Sequence, residues 1–418
     1  MIYNFIKLYK KKYFFKQFST CKIDFWKATS LYKDIEKEQF INHTWQNNNS
    51  ITNKNYKLEL EKNNVNKEII DDITESLKTN KMSMRITPYI ISLIDWNNFY
   101  NDPLAKQFIP TKSLSIKLNN DTKLDSLCEK NDSKVDGIVH RYPNKILFLA
   151  NNICPVYCKF CTRSYAVGDD TDSVLKDKSI KMNKSRWEKC LDYIRNNPQI
   201  EDVLISGGDA FMIPFSQLEY LGKQIIDIKH VKRLRIATKG LAVLPMKIIS
   251  DTNYLITLIN LNNYCYENLK HFAIQTHFNH PNEITYFTEN MMEIFMKNKI
   301  LIRNQSVFLK GINNDEKIMQ ELIIKLSNIG IIPYYVYMCD NVPNGDMFRT
   351  TLQNMIDVEK KLKGTNSGYM SPSFIVDLPN GGGKKNITQF ESYVNGIAHY
   401  KSYIRNDNIT DFYYHDPI

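Results

Sequence analysis

Apolar residues along the chain follow two regimes, and the change falls near Val135. From Leu31 to about Asn131 the sequence is polar, helical in period and broken by Asn-rich turns. Val65, Ile69, Ile70, Ile73 and Leu77 recur at three- and four-residue intervals, as one buried face of a helix requires, while Leu31–Trp45 fits that period less cleanly. Beyond Val135, short apolar runs alternate with amphipathic stretches. The runs are Lys145–Ala150, Asp202–Ile205, Val231–Thr238, His271–Thr276, Ile300–Leu309 and Ile331–Met338, and between them lie helix-like segments such as Lys184–Asn196, Gln217–Ile228, Glu283–Lys297 and Asp315–Asn328. Strands spaced by helices predict parallel βα units with right-handed crossovers. Six such units predict an α/β fold with an incomplete barrel, whose active site belongs at the carboxyl ends of the strands.

Candidate chemistry gathers on that rim. After the first run comes Cys154-Pro-Val-Tyr157-Cys158-Lys-Phe160-Cys161, three cysteines spaced C-x3-C-x2-C. Three thiolates can hold three irons of a cubane, and with no fourth cysteine close by, the fourth iron is left for an outside ligand. Electron carriers are normally closed by a fourth cysteine and structural zinc wants four ligands, so both fit less well. The plain alternative is a chance grouping of inert core cysteines. After the second run stands Ser206-Gly207-Gly208-Asp209, a turn that exposes bare backbone to a ligand, with Asp209 available to accept from an ammonium group. Asp340 follows the sixth. Near the C-terminus Phe374-Ile-Val-Asp377-Leu-Pro-Asn380-Gly-Gly-Gly383-Lys384 reads as a strand running into glycines. The Walker A pattern would need glycine at Leu378 and Ser or Thr at Lys385, which disfavours nucleotide binding. A lysine on such a loop can instead form a Schiff base with pyridoxal phosphate (PLP), although taken alone Lys384 reads as a surface lysine.

Composition narrows the classes. The eight cysteines show no disulfide pattern outside the triplet, which suits a cytoplasmic or organellar matrix setting. No apolar run reaches the roughly 18 residues of a membrane span. The formal net charge of +10 invites a nucleic-acid reading, but Lys7, Lys10, Lys11, Lys12, Lys16 and Lys22 all precede the first acid, Asp24, and the rest is spread over an Asn- and Lys-rich background. Residues 1–30 are basic and aromatic, a candidate targeting sequence or a divergent extension.

The cysteine loop, with Tyr157 and Phe160 inside it, resembles that of radical S-adenosylmethionine (SAM) enzymes. Together with Asp-x-Pro-x-Gly-Gly-Gly-Lys it resembles the lysine 2,3-aminomutase family, from about residue 31 to 390. Further matches include Arg85-Ile-Thr-Pro88-Tyr89, Val139-His-Arg141-Tyr142-Pro143, Cys161-Thr-Arg163, His277-Phe-Asn-His280-Pro-Asn-Glu283 and Asn304-Gln305-Ser306. The resemblance implies a partial (β/α)6 radical SAM barrel at 135–350, an N-terminal helical domain at 31–134 and a C-terminal PLP-binding segment at 351–418. It implies conversion of L-lysine to β-lysine by radical amino migration, using a [4Fe-4S] cluster on Cys154, Cys158 and Cys161, SAM, PLP on Lys384 and an unidentified electron donor. Ser206, Gly207, Gly208, Asp209, His277 and Gln305 match SAM-contacting positions. Arg141 and Lys145 match the PLP-phosphate clamp, Arg163 the partner of the substrate carboxylate, and Asp340 and Asp377 the holders of the ε-ammonium. Departures are Asn380 for the first glycine of the PLP loop, Lys385 for a frequent threonine, and no cysteine after Lys384, which predicts a homo-oligomer, if one forms, without structural zinc. The alternatives are an aminomutase for another amino acid, a role in lysine modification of elongation factor P, or an iron–sulfur interaction protein that has lost catalysis.

Overall fold

The predicted runs become strands because each is a short apolar run bounded by turns, with one face fully buried under the helices and the other half-buried or buried inside the curve of the sheet. In the computed structural model, which describes residues 24–115, 122–404 and 409–417, they form one ten-stranded sheet. Its strands are β1 (Ser133–Val135), β2 (Ile138–Tyr142), β3 (Lys145–Asn151), β4 (Asp202–Gly207), β5 (Arg233–Ala237), β6 (His271–Thr276), β7 (Leu301–Phe308), β8 (Ile332–Met338), β9 (Ser373–Leu378) and β10 (Gly383–Asn386). Each pairs with the next in sequence. β3 through β9 are parallel, so the six predicted units gain a seventh strand, while β1, β2 and β10 run antiparallel at the two ends. The sheet curves until its ends nearly meet: the Lys384 amide of β10 donates to the Tyr142 hydroxyl of β2 at 3.0 Å.

The helices α1 (Lys67–Leu77), α2 (Lys184–Arg195), α3 (Phe215–Asp227), α5 (Tyr286–Lys297) and α6 (Glu316–Asn328) match the predicted segments, and α4 (Thr252–Glu267) and α7 (Leu352–Thr365) join them. In α4 the buried stripe is Tyr254, Thr257, Leu258, Leu261 and Cys265, but half-buried Leu255 and Ile259 lie beside it and blur the period. Asp315 caps α6, accepting from the Lys317 and Ile318 amides at 2.9 and 3.2 Å. Among the described residues no helix is long and apolar enough to cross a membrane.

One hydrophobic cluster reaches from Phe25 to Tyr414. Residues 24–30, grouped in sequence with the candidate targeting extension, belong to it: Trp26 is fully buried and stacks on Phe40 at 4.3 Å. The basic stretch before residue 24 lies outside the described residues. The N-terminal segment is bound to the barrel by Thr87 donating to the Val243 carbonyl at 2.8 Å and by the Tyr89 and Thr285 hydroxyls at 2.8 Å. A small antiparallel sheet (Ser392–Val394, Ile397–Ser402, Thr410–His415) braces the glycine loop, with the Ser402 hydroxyl donating to the Gly382 carbonyl at 2.7 Å.

Candidate active site

The cysteine loop leaves β3 and is stitched at once to the end of β4. The Gly208 amide donates to Asn151 O at 2.7 Å, the Asp209 amide to Ile153 O at 2.9 Å, and the Asn151 side chain to Asp209 O at 3.0 Å. This contact explains Gly207-Gly208. Gly207 has φ +118°, and a Cβ there would lie 2.2 Å from Asn151 O, while one on Gly208 would lie 2.5 Å from Ile153 O. The glycines therefore admit the cysteine loop's own backbone. On its other side the loop is held by N-terminal segments, the Tyr157 and Lys159 amides donating to Arg85 O and Gln107 O, each at 3.0 Å.

Cys154, Cys158 and Cys161 are free, half-buried thiols on one loop. Burial pushes all three up, Cys158 to about 12, and each thiolate would repel the others. Such a trio ionises together only with bound cations, which is what a cluster's irons are. Among the described residues no three His, Cys, Asp or Glu side chains converge on a single-ion position. A cubane does not ask them to, since each thiolate takes a different iron.

The SAM-matching residues surround this loop. The His277 ring meets Phe160 edge-on at 6.0 Å, its Nε2 is 3.1 Å from Asn279 Oδ1, and burial with the Lys239 charge keeps its pKa well below the usual histidine value. Gln305 is half-buried on the inward face of β7, in register with Tyr335. Ser206 lies 3.3 Å from Arg163 Nη1. Asp209 differs from the expectation of a free acceptor. Its carboxylate is buried and taken up by the amides of Phe211 (2.9 Å), Lys239 (2.7 Å) and Gly240 (3.1 Å), which makes it a brace for the ends of β4 and β5.

The second constellation faces the same interior. Antiparallel pairing sets Lys384 opposite Asp377, and Lys384 Nζ donates to Asp377 Oδ2 at 2.6 Å. Burial works against the ammonium, but Asp377 with the Tyr337 and Tyr142 phenols outweighs it and holds the charge well above the usual lysine range. Lys385, one residue on, faces the other way, over the Tyr403 ring at 5.1 Å. Asn380 takes a left-handed turn (φ +58°) that asparagine tolerates, and its side chain accepts from Lys123 Nζ at 3.0 Å. Asp340 joins the pair: burial and the Asp377 charge push its carboxyl up to about 8. Asp377 Oδ1 is buried without a hydrogen-bond partner. Asp377 thus keeps acceptor capacity, with the Asp340 carboxyl within electrostatic reach, a fit for a further cation.

Lys145 points inward beside Lys384, and burial followed by the Lys384 and Arg235 charges lowers it to about 8. Arg141 reaches the same corner and is already engaged there. Its Nε donates to Asp132 at 2.7 Å and its Nη2 to Leu127 O, with Nη1 3.9 Å from Asp377. Arg163 is paired as well. Glu129 takes its Nε and Nη2 at 2.9 and 2.7 Å and also accepts from Tyr165 at 3.1 Å. Burial alone would raise the Glu129 carboxyl, and Arg163 overrides that and holds it below the usual range. No motif marks Glu129 in the sequence; its buried neighbourhood becomes visible only once residues 129 and 163 meet in space.

No family model matches the chain. It is 37% identical over 392 residues to the L-lysine 2,3-aminomutase of Clostridium subterminale, covering 93% of this chain and 87% of that protein. Over 325 residues it is 37% identical to the L-lysine 2,3-aminomutase of Acetoanaerobium sticklandii, covering 78% and 73%. It is also 31% identical over 371 residues to the glutamate 2,3-aminomutase of Clostridioides difficile, covering 85% and 83%.

Proposed function

The chain belongs to the lysine 2,3-aminomutase family, and from that premise we propose that it converts L-lysine to β-lysine with a [4Fe-4S] cluster, SAM and PLP. The observation that carries the reading is the Lys384–Asp377 ion pair at 2.6 Å with Asp340 within its electrostatic reach, in one corner of the barrel. When bound, the reduced cluster with SAM would supply a carbon radical able to borrow a hydrogen from the substrate β-carbon and give it back to the product, and PLP would supply the conjugated system for migration of the nitrogen from Cα to Cβ.

Each residue then has a task set by its chemistry. Cys154, Cys158 and Cys161 hold three irons and leave one open. Lys384 carries PLP and yields its place to the substrate amine. Once Lys384 no longer bears a charge, Asp377 keeps only Arg141 at 3.9 Å, and the ε-ammonium of lysine replaces the cation that Lys384 gave Asp377 and Asp340. Arg163 already spends its Nε/Nη2 edge on Glu129, so the substrate carboxylate meets the guanidinium through Nη1, beside Ser206.

Glutamate would set its side-chain carboxylate against Asp340 and Asp377, a like-charge contact that disfavours it. Anaerobic incubation of reconstituted protein with SAM, PLP, dithionite and lysine, glutamate, arginine or ornithine should give β-lysine fastest, read by mass spectrometry and chiral chromatography. Faster turnover of glutamate or a neutral amino acid would leave the family standing and the substrate wrong. Borohydride reduction and peptide mapping should place pyridoxyl on Lys384; label on Lys385 would refute the register of the glycine loop.

A further inference from the structure

The floor of the barrel, at the amino ends of the strands, carries a cation that none of the roles above uses. Arg303 lies on the inward face of β7, between Ile302, which packs into the helix-side core, and Asn304, which bonds to Phe278. A register shift in β8 between Pro333 and Tyr335 leaves Tyr334 unpaired, so two consecutive tyrosines lie on one side. Their rings are 3.7 Å apart and their hydroxyls 2.8 Å apart. The Arg303 guanidinium sits 4.7 Å from the Tyr334 ring centre. Its Nε is buried with no hydrogen-bond partner, and among the described residues it forms no ion pair. Other arginines at or near the barrel interior are matched: Arg141 with Asp132, Arg163 with Glu129, Arg235 with Asp202 at 2.7 Å. Arg85 and Arg349 also have an orphaned Nε, but each donates through another nitrogen to a carbonyl.

A half-buried guanidinium with a buried, unpartnered Nε, fixed on an aromatic face, is a ready anion holder. The geometry also says which anion. Tyr335, which touches Tyr334, lies within electrostatic reach of Lys384 and Tyr142, and Lys145 reaches the same place from β3, 3.8 Å from the Tyr142 ring centre. The rim is closed to a dianion by Asp340 and Asp377, and Arg141 is already shared among Asp132, Leu127 O and Asp377. Lys145 supplies at most one positive charge, against the one and a half to two that a phosphate ester brings.

We infer that Arg303 is a phosphate-anchoring residue of this chain, holding with Lys145 the dianionic end of the PLP carried by Lys384; this rests on the proposed function above. The test compares PLP with pyridoxal, which has the same ring and aldehyde but no phosphate. Full-length chain, purified without PLP, is titrated with each and followed by visible absorption. Arg303→Gln should lose about tenfold to hundredfold in PLP affinity, the range for a hydrogen bond to a charged group, and keep its pyridoxal affinity. Arg303→Lys should fall between. Inorganic phosphate should compete with PLP for the wild type more strongly than for either variant. Loss falling equally on PLP and pyridoxal, or on neither, overturns the assignment and leaves Arg303 as packing for Tyr334. If Arg303→Gln does not fold by circular dichroism, the Arg303→Lys titration and the phosphate competition decide alone. Wild type that binds no PLP refutes the proposed function and this inference together, whereas wild type that binds PLP beside an unchanged Arg303→Gln sinks only the latter.

Discussion

Asp340 is the residue whose protonation has to change when substrate arrives. Burial and Asp377 push its carboxyl up to about 8, whereas in an unfolded chain it titrates near 3.9. The folded protein thus holds a proton that the unfolded chain has already released. Stability from this group is complete below about pH 4 and is lost as pH rises through about 8. Asp340→Asn removes that loss, so without lysine its Tm should gain on the wild type at pH 9 and not at pH 4; a gain equal at both would contradict the argument. Lysine binding should also release a proton between pH 6 and 8, detectable by calorimetry in two buffers of different ionisation enthalpy. Glu129 makes a second test at this scale. Glu129→Ala leaves Arg163 buried and unpaired and should destabilise the fold by about 3–5 kcal/mol, measured by denaturant unfolding, while an unchanged midpoint would mean that Arg163 finds another partner. At the residue scale the sequence disclosed what motifs mark, namely the cysteines, Lys384, Asp340 and Asp377. Glu129 and Arg303 escaped because their meaning lies in partners 34 residues away or in a missing one.

Among the elements, the turn after β4 has the sharpest consequence. Its glycines leave room for Asn151 O and Ile153 O, so a methyl group at Gly208 acts on the cysteine loop and not on the strand. Gly208→Ala should therefore keep its far-UV circular dichroism and lose more than half of its reconstituted iron; full iron with an undisturbed cluster spectrum would show that the loop can move aside. The strands were legible because a parallel sheet makes each a short apolar run between turns. α4 was not, since apolar Leu255 and Ile259 lie off its buried stripe. The brace role of Asp209 was hidden as well, because its partners are backbone amides of β5's following turn, and amides leave no mark in a sequence.

For the whole molecule, the N-terminal segment is continuous with the barrel's packing. Trp26 lies against Phe40 and Phe287, bridging the first described residues and α5, and Trp26→Ala should cost about 3–5 kcal/mol, seen as a lower unfolding midpoint in the full chain. A midpoint within error of wild type would make residues 24–30 dispensable. Continuity also means that Arg85 and Gln107, far from the chemistry in sequence, hold the cysteine loop by their carbonyls. The Tyr142 hydroxyl that receives the Lys384 amide carries this further, into time. Cys154 and Lys384 are 384 − 154 = 230 residues apart, so a ribosome exposes the iron ligands long before the amine. The strand bearing that amine is the antiparallel edge strand of the sheet, the last of its ten in sequence. The iron ligands are therefore made first, and aldehyde capture waits until the last strand of the sheet has been synthesised and paired.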